Sequence, residues 1–230
     1  MKVVSIQVGK PQSFAGGEIG GGRPWSSGII KHRVEGPVQI DWTNLAGDGQ
    51  ADLVHHGGPD KAINAYPSDH WAYWRDTCRL TPTGGSFGEN FTTQGADETQ
   101  VCIGDVYRIG TVLVQVSQPR QPCWKLDRRW QVSDLAKRVQ QTGRTGWYFR
   151  VVQCGTLEAP ADLVLVERPH PEWTVARANQ IMHHDREDRA AAAALAACPA
   201  LSQSWKTTLR GRTEGVAETR SSSLRLDGPS

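Results

Sequence analysis

Over its first 168 residues the chain never holds one periodicity for long. Short β-favouring runs alternate with turns built on glycine and proline, and this rhythm restricts the fold more than any other feature. Val3 to Val8 is the first run. Ile29 to Val34 and Val38 to Asp41, joined across Glu35-Gly36-Pro37, predict a hairpin. Val101-Cys102-Ile103, Val106 to Ile109 and Thr111 to Ser117 form a second cluster, and Trp147 to Gln153 with Leu163 to Val166 a third pair. Strands so closely spaced predict a closed or partly closed barrel rather than a βαβ sheet. Two short helices interrupt it. One is capped at Ser68 or Asp69 and carries Trp71 and Trp74; the other follows Ser133, sets Leu135 and Val139 four apart, and stops at Gly143.

After Pro169-His170-Pro171 the pattern changes to three short helices: Val175 to His183, Arg186 to Ala197, and Gln203 to Arg210 with Ser202 as N-cap. The expected class is therefore mainly β: a barrel over 1–168, a small all-α unit over 170–212, and a frayed tail over 213–230. His183-His184 reads as compensation of a helix C-terminal dipole, and Trp71, Trp74 and Trp147 read as core.

Composition excludes several function classes. The chain has 230 residues and a formal net charge of +2, and its α unit balances basic against acidic residues, so nucleic acid is not an expected partner. The longest apolar run, Ala190 to Cys198, is too short for a membrane span, and no leader-like core follows Met1, so the expected location is the cytoplasm. Five cysteines without a CxxC pair argue against a disulfide framework and a four-cysteine metal site. Gly20-Gly21-Gly22 lacks the spacing of a nucleotide loop, and Asp41 to Asp52 fails the EF-hand pattern.

Three segments carry chemistry. His55-His56-Gly57-Gly58-Pro59-Asp60-Lys61 places imidazole, ammonium and glycine amides on one tight turn suited to an anion. Phe87-Gly88-Glu89-Asn90 lets backbone approach a ligand beside an amide that donates and accepts. Ser117 to Leu126 holds Cys123 in a loop stiffened by Pro119 and Pro122, with Arg120 and Lys125 near the sulfur, a field that favours the thiolate. The other cysteines, Cys78, Cys102, Cys154 and Cys198, read as inert packing residues.

Taken together, these segments resemble the MOSC domain, found at the C-terminus of molybdenum cofactor sulfurases. The loop Gly47-Asp48-Gly49-Gln50-Ala51-Asp52 and the helical tail resemble its stand-alone YiiM-like branch, with coverage from the first strand to about Arg212. The resemblance implies a MOSC-type β-barrel with a three-helix extension. It further implies a molybdenum cofactor (molybdopterin) whose metal is ligated by Cys123, and reduction of N-hydroxylated compounds such as hydroxylaminopurine base analogues. His56, Asp60 or Asn90 would position substrate or supply a proton. Lys61, Gly57, Gly58, Phe87, Gly88, Glu89, Gln118, Arg120 and Lys125 would surround the cofactor, the basic residues among them holding its phosphate. No iron–sulfur pattern is present, so the electron donor would be external, a flavin reductase or a small iron–sulfur protein. Pyridoxal phosphate is not supported. A persulfide carrier on Cys123 and a non-catalytic docking protein remain as alternatives. The helical tail could cap its own barrel or make a homodimer.

Overall fold

The computed structural model describes residues 1–15, 23–52, 57–215 and 225–228. The Gly16-to-Gly22 stretch, His55 and His56 lie outside the described residues.

In chain order the strands are β1 (Lys2–Val8), β2 (Gln12–Phe14), β3 (Trp25–Ser27), β4 (His32–Arg33), β5 (Val38–Ile40), β6 (Ile63–Pro67), β7 (Phe91–Gln94), β8 (Val106–Ile109), β9 (Val112–Pro119), β10 (Trp147–Gln153), β11 (Gly155–Leu157), β12 (Ala161–Asp162) and β13 (Val164–Glu167). The helices are α1 (Trp71–Cys78), α2 (Lys125–Trp130), α3 (Leu135–Thr142), α4 (Val175–His183), α5 (Arg189–Ala196) and α6 (Gln203–Thr213). One curled mixed sheet runs β12-β1-β7-β6-β10-β9-β8-β13, with β4 added to β1. Its first and last strands are separated in the chain only by Leu163, so the sheet curls until both ends meet in a single extended segment.

Three sequence expectations change. The segments around Glu35-Gly36-Pro37 do not pair: β4 joins β1, and β5 joins β11 far along the chain. Likewise β10 pairs with β6 and β9, while β13 pairs with β8. Val101 to Ile103 forms only a bridge at Cys102 to Thr174. The β8–β9 hairpin is as expected, turning through Gly110 at φ +58 and Thr111.

The barrel also contains a parallel pair, β6 with β7, joined through α1. Such a pair needs a crossover, and α1 supplies it. Every residue of β6 is buried, as expected of a central strand covered on both faces.

The three C-terminal helices have side-chain N-caps. Thr174, Asp188 and Ser202 each accept a first-turn N–H through the side chain, and Gly143 ends α3 in the left-handed region. Barrel and C-terminal helices share one apolar core, in which Val114, Val116 and Trp147 meet Ala178, Leu195 and Trp205. Complete burial of each large side chain there contributes about 1.5–3 kcal/mol. Backbone bonds stitch the units: Ile103 N–H to Trp173 O at 2.8 Å, and Ser202 N–H to Ser117 O at 2.9 Å.

A second apolar cluster holds Trp74, Tyr66, Phe87, Leu126 and Val139 beneath the cysteine loop. Trp74 and Trp147 are core, as read from sequence, whereas Trp71 is half-buried. His183 is half-buried, edge-on to Trp205, and desolvation pushes it down to about 3, so it is neutral at pH 7 and adds no charge to the helix end. No described helix is long and apolar enough to cross a membrane. Residues 225–228 are placed against the cysteine loop, a contact not expected of a frayed tail.

Candidate functional site

A cleft of about 640 Å³, its open mouth included, lies where β9 leaves the sheet and three loops converge. Cys123, Arg120 and Lys125 form one wall, Phe87, Gly88 and Asn90 a second, and Asp48 to Asp52 a third, with Lys61 at the side. Residues of the Phe87 and Cys123 segments thus share one cleft, and of the His55-to-Lys61 segment Lys61 joins them.

The cysteine loop extends β9. Arg120 N–H donates to Gly146 O at 3.0 Å, prolonging the β9–β10 ladder past Pro119. The chain then turns through Pro122, and Cys123 O accepts from Leu126 N–H at 2.9 Å as α2 begins. The thiol is buried, with 9 % of the residue exposed, yet it lines the cleft. Tyr148 lies within electrostatic reach of Arg120 and Cys123, and burial pushes its phenol up, so it stands in the cleft as a neutral hydroxyl.

Glu89 explains how the second wall is made. Its carboxylate accepts from Gly85 N–H at 2.7 Å, Phe87 N–H at 2.8 Å and the Thr92 hydroxyl at 3.0 Å. Burial raises its proton affinity while these bonds oppose the rise. Glu89 therefore shapes the loop and does not line the cleft. Gly88 adopts φ +77, and a Cβ there would stand 2.9 Å from Ile29 Cγ1, so neither conformation nor space admits a side chain.

Several other expected residues spend their hydrogen bonds on the protein itself. The Asn90 carboxamide is fully engaged: Oδ1 accepts from Asn64 N–H at 3.1 Å, and Nδ2 donates to Asp48 Oδ2 at 2.9 Å and Gln7 O at 3.3 Å. Asp60 does not line the cleft. Its carboxylate pairs with Arg150 at 2.7 Å and caps Gln203 N–H at 3.1 Å, tying the barrel to α6. Gln118 is bonded to Ser204 Oγ at 3.2 Å, also toward α6. Gly58, at φ +94, closes the turn to Lys61 N–H, and neither Gly57 nor Gly58 lines the cleft. His56 lies outside the described residues.

Among the described residues, two buried atoms in the lining have no protein partner. Arg120 donates through Nη2 to Phe87 O at 3.0 Å, but its Nη1 has no acceptor. Asn64 donates through Nδ2 to Gly88 O at 3.2 Å, but its Oδ1 has no donor. A buried polar group costs about 1–3 kcal/mol unless water or a ligand satisfies it, so these two atoms are open to either. Lys61 and Lys31 also line the cleft, and burial lowers the proton affinity of both. Lys31 forms a buried ion pair with Asp48, whose Oδ1 also accepts from Gly9 N–H at 2.7 Å.

Asn64, Lys31 and Tyr148 escaped the sequence reading, since each sits in an ordinary stretch whose partners are distant in the chain. The Asp48 loop carried a signal through its glycines. Among the described residues no three His, Cys, Asp or Glu side chains converge as a metal site, so any metal here would rely on a ligand set other than a side-chain cluster.

The family model for the MOSC domain matches residues 52–163, and that for the YiiM-like, 3-alpha helix domain matches 173–215. Protein YiiM of Escherichia coli (strain K12) is 37 % identical over 215 residues, covering 91 % of each chain. The chain belongs to the MOSC-domain family, in its YiiM-like branch. The crystal structure of YiiM from Geobacillus stearothermophilus agrees, with 44 % identity, a TM-score of 0.78, and coverage of 92 % of this chain and 98 % of that one. A protein named reductase from Gibberella moniliformis (strain M3125 / FGSC 7600) is 36 % identical over 185 residues, which span 78 % of this chain but 32 % of that protein. In this YiiM-like chain the two family matches are tied together away from the cleft lining, where Asp60 and Gln118 of the MOSC part bond to Gln203 and Ser204 of α6.

Proposed function

We propose that this chain is an oxidoreductase that holds a molybdenum–pterin cofactor in the Cys123 cleft and reduces N-hydroxylated compounds to amines. The observation that carries the proposal is the unpaired Nη1 of buried Arg120, in the same wall as the one cysteine that lines the cleft. A cationic donor without an acceptor suits the cofactor's phosphate, and the unpaired Asn64 Oδ1 suits an N–H of its pterin. The Cys123 thiolate suits the soft metal. When bound, the cofactor supplies the two electrons that N–O cleavage requires.

The chain's own residues do the rest. Glu89 and Gly88 hold the Phe87 loop so that backbone comes close to a flat ligand. Lys125, whose ammonium lies 5.7 Å from the Trp124 ring centroid, adds positive charge at the mouth. Lys61 lines the cleft and burial loosens its proton, which supports a role in giving a proton to the departing hydroxyl. The balance is one N-hydroxylated molecule, two electrons and two protons giving amine and water. The electrons come from an external donor, a flavin reductase or a small iron–sulfur protein. The reductase name of the fungal relative supports this class of chemistry.

The test is turnover by the cofactor-loaded chain, reduced chemically, on an N-hydroxylated purine. Amine formation that disappears in Cys123→Ala is expected. Equal turnover in that variant would overturn the role of the thiol.

A further inference from the structure

Arg225 returns to the cysteine loop from a hundred residues away in the chain. Its guanidinium donates through Nη1 to the Pro122 carbonyl oxygen and through Nη2 to Gln140 Oε1 on α3 at 2.6 Å. Its own carbonyl oxygen accepts from Trp124 N–H at 2.9 Å. Both residues flanking Cys123 are therefore held by Arg225. The neighbours of Arg225 reinforce the contact. Asp227 pairs with Lys137 of α3 at 2.8 Å, Leu226 packs on the apolar cluster beneath the loop, and Gly228 lies against the Trp124 indole.

Local chemistry makes these bonds count. Pro122 has no N–H, so its carbonyl is the only backbone group by which it can be tied. The Trp124 N–H stands at the start of α2, where a helix leaves its first donors without internal partners. Arg225 satisfies both and links the loop to α3. The guanidinium is desolvated enough to be pushed down to about 10, with Cys123 and Arg120 facing it. These residues lie outside both family matches, which end at 163 and 215, so nothing in the family assignment implies them.

We propose that residues 225–228 latch the Cys123 loop, and that Arg225 is the positioning residue that fixes where the thiol stands in the cleft. The latch rests on geometry alone; its importance for catalysis rests on the reading of Cys123 given above.

The test is amide hydrogen exchange on the full-length chain, comparing the wild type with Arg225→Ala, Arg225→Lys and Gln140→Ala. In Arg225→Ala, exchange at residues 123–126 rises about tenfold or more while β9 and β10 keep their protection. Added guanidinium chloride at low millimolar concentration restores protection by refilling the space between Pro122 O and Gln140 Oε1. Arg225→Lys gives partial recovery, and Gln140→Ala, which leaves the Pro122 bond intact, gives a smaller rise. Unchanged exchange at Trp124 in Arg225→Ala would overturn the latch. An equal rise across β9 and β10 would overturn it too, since it would make Arg225 a general stability residue. In chain made by a cofactor-producing host, molybdenum retention falls in step with the local exchange. A wild type without molybdenum would count against the proposed function, and the exchange result would still decide the latch.

Discussion

Arg120 bonds to the Phe87 carbonyl oxygen through Nη2 at 3.0 Å and presents its second terminal nitrogen, buried and unpaired, in the same cleft that Cys123 lines. One guanidinium thus joins two loops separated by about thirty residues and keeps a donor for something else. Its planar fork serves both from two nitrogens held at fixed geometry, whereas an ammonium has a single nitrogen for all its donors.

Arg120→Lys therefore tests ligand holding more than folding. Inorganic phosphate should raise the melting temperature of the wild type. The rise should shrink to less than half in Arg120→Lys, and thermal unfolding in phosphate and in chloride buffers measures both. An equal phosphate response would remove Arg120 from the anion site.

Asp60 was legible as a candidate acid, yet its partners are Arg150 and the first turn of α6. Asp60→Asn should cost about 1 kcal/mol through the weakened pair and cap. Catalytic turnover should stay within about twofold, as expected when a substitution removes no transition-state contact. Denaturant unfolding and steady-state rates together separate the two effects, and a loss of turnover without a loss of stability would restore Asp60 to the chemistry.

Glu89 accepts three hydrogen bonds from groups that can only donate to it or are already committed. Glu89→Gln must turn an amide NH₂ toward one of those donors. The expected loss is about 1–3 kcal/mol, read from urea midpoints at pH 7. Because folding raises the Glu89 pKa above its ordinary value, the native state binds the proton more readily there. The contribution of Glu89 to stability therefore declines as pH rises through the window just above 4.5, and Glu89→Gln removes that slope.

His183 makes a pH prediction of opposite sign. Its folded pKa is near 3 against an ordinary 6.5, so the unfolded chain binds the proton first. Stability should fall as pH drops from about 6.5 toward 3, by up to about 1.4 kcal/mol per unit from this group. Arg225, His184, Arg212 and Arg186 all oppose its protonation. His183→Phe should flatten the acid limb of the stability profile between pH 6 and 4. An unchanged limb would show that His183 is not what acid unfolding titrates.

The sequence carried the site further than it carried the sheet. Cys123, Arg120, Lys61 and the Phe87-Gly88 turn were legible because proline, glycine and charge occur there in unusual local combination. Pairing partners were not, because β4 and β5 look like a hairpin across Gly36 while their true partners lie in β1 and β11. The parallel β6–β7 pair was hidden by Asn64 and Pro67, polar and ring-constrained residues inside a fully buried strand. For Asn90 and Asp60 the sequence could not show where their bonds go, because a polar side chain in a turn gives no sign of whether its bonds are spent on the protein. Only coordinates distinguish the committed amide of Asn90 from the open Oδ1 of Asn64.

The central claim is that Cys123 holds molybdenum in this cleft. Metal and pterin content should be measured on freshly purified chain from a cofactor-producing host, for the wild type and Cys123→Ala side by side. The account predicts about one molybdenum and one pterin per wild-type chain, with the metal lost from the variant. A wild type that carries a persulfide on Cys123 and no molybdenum, or a variant that keeps the metal, would contradict it.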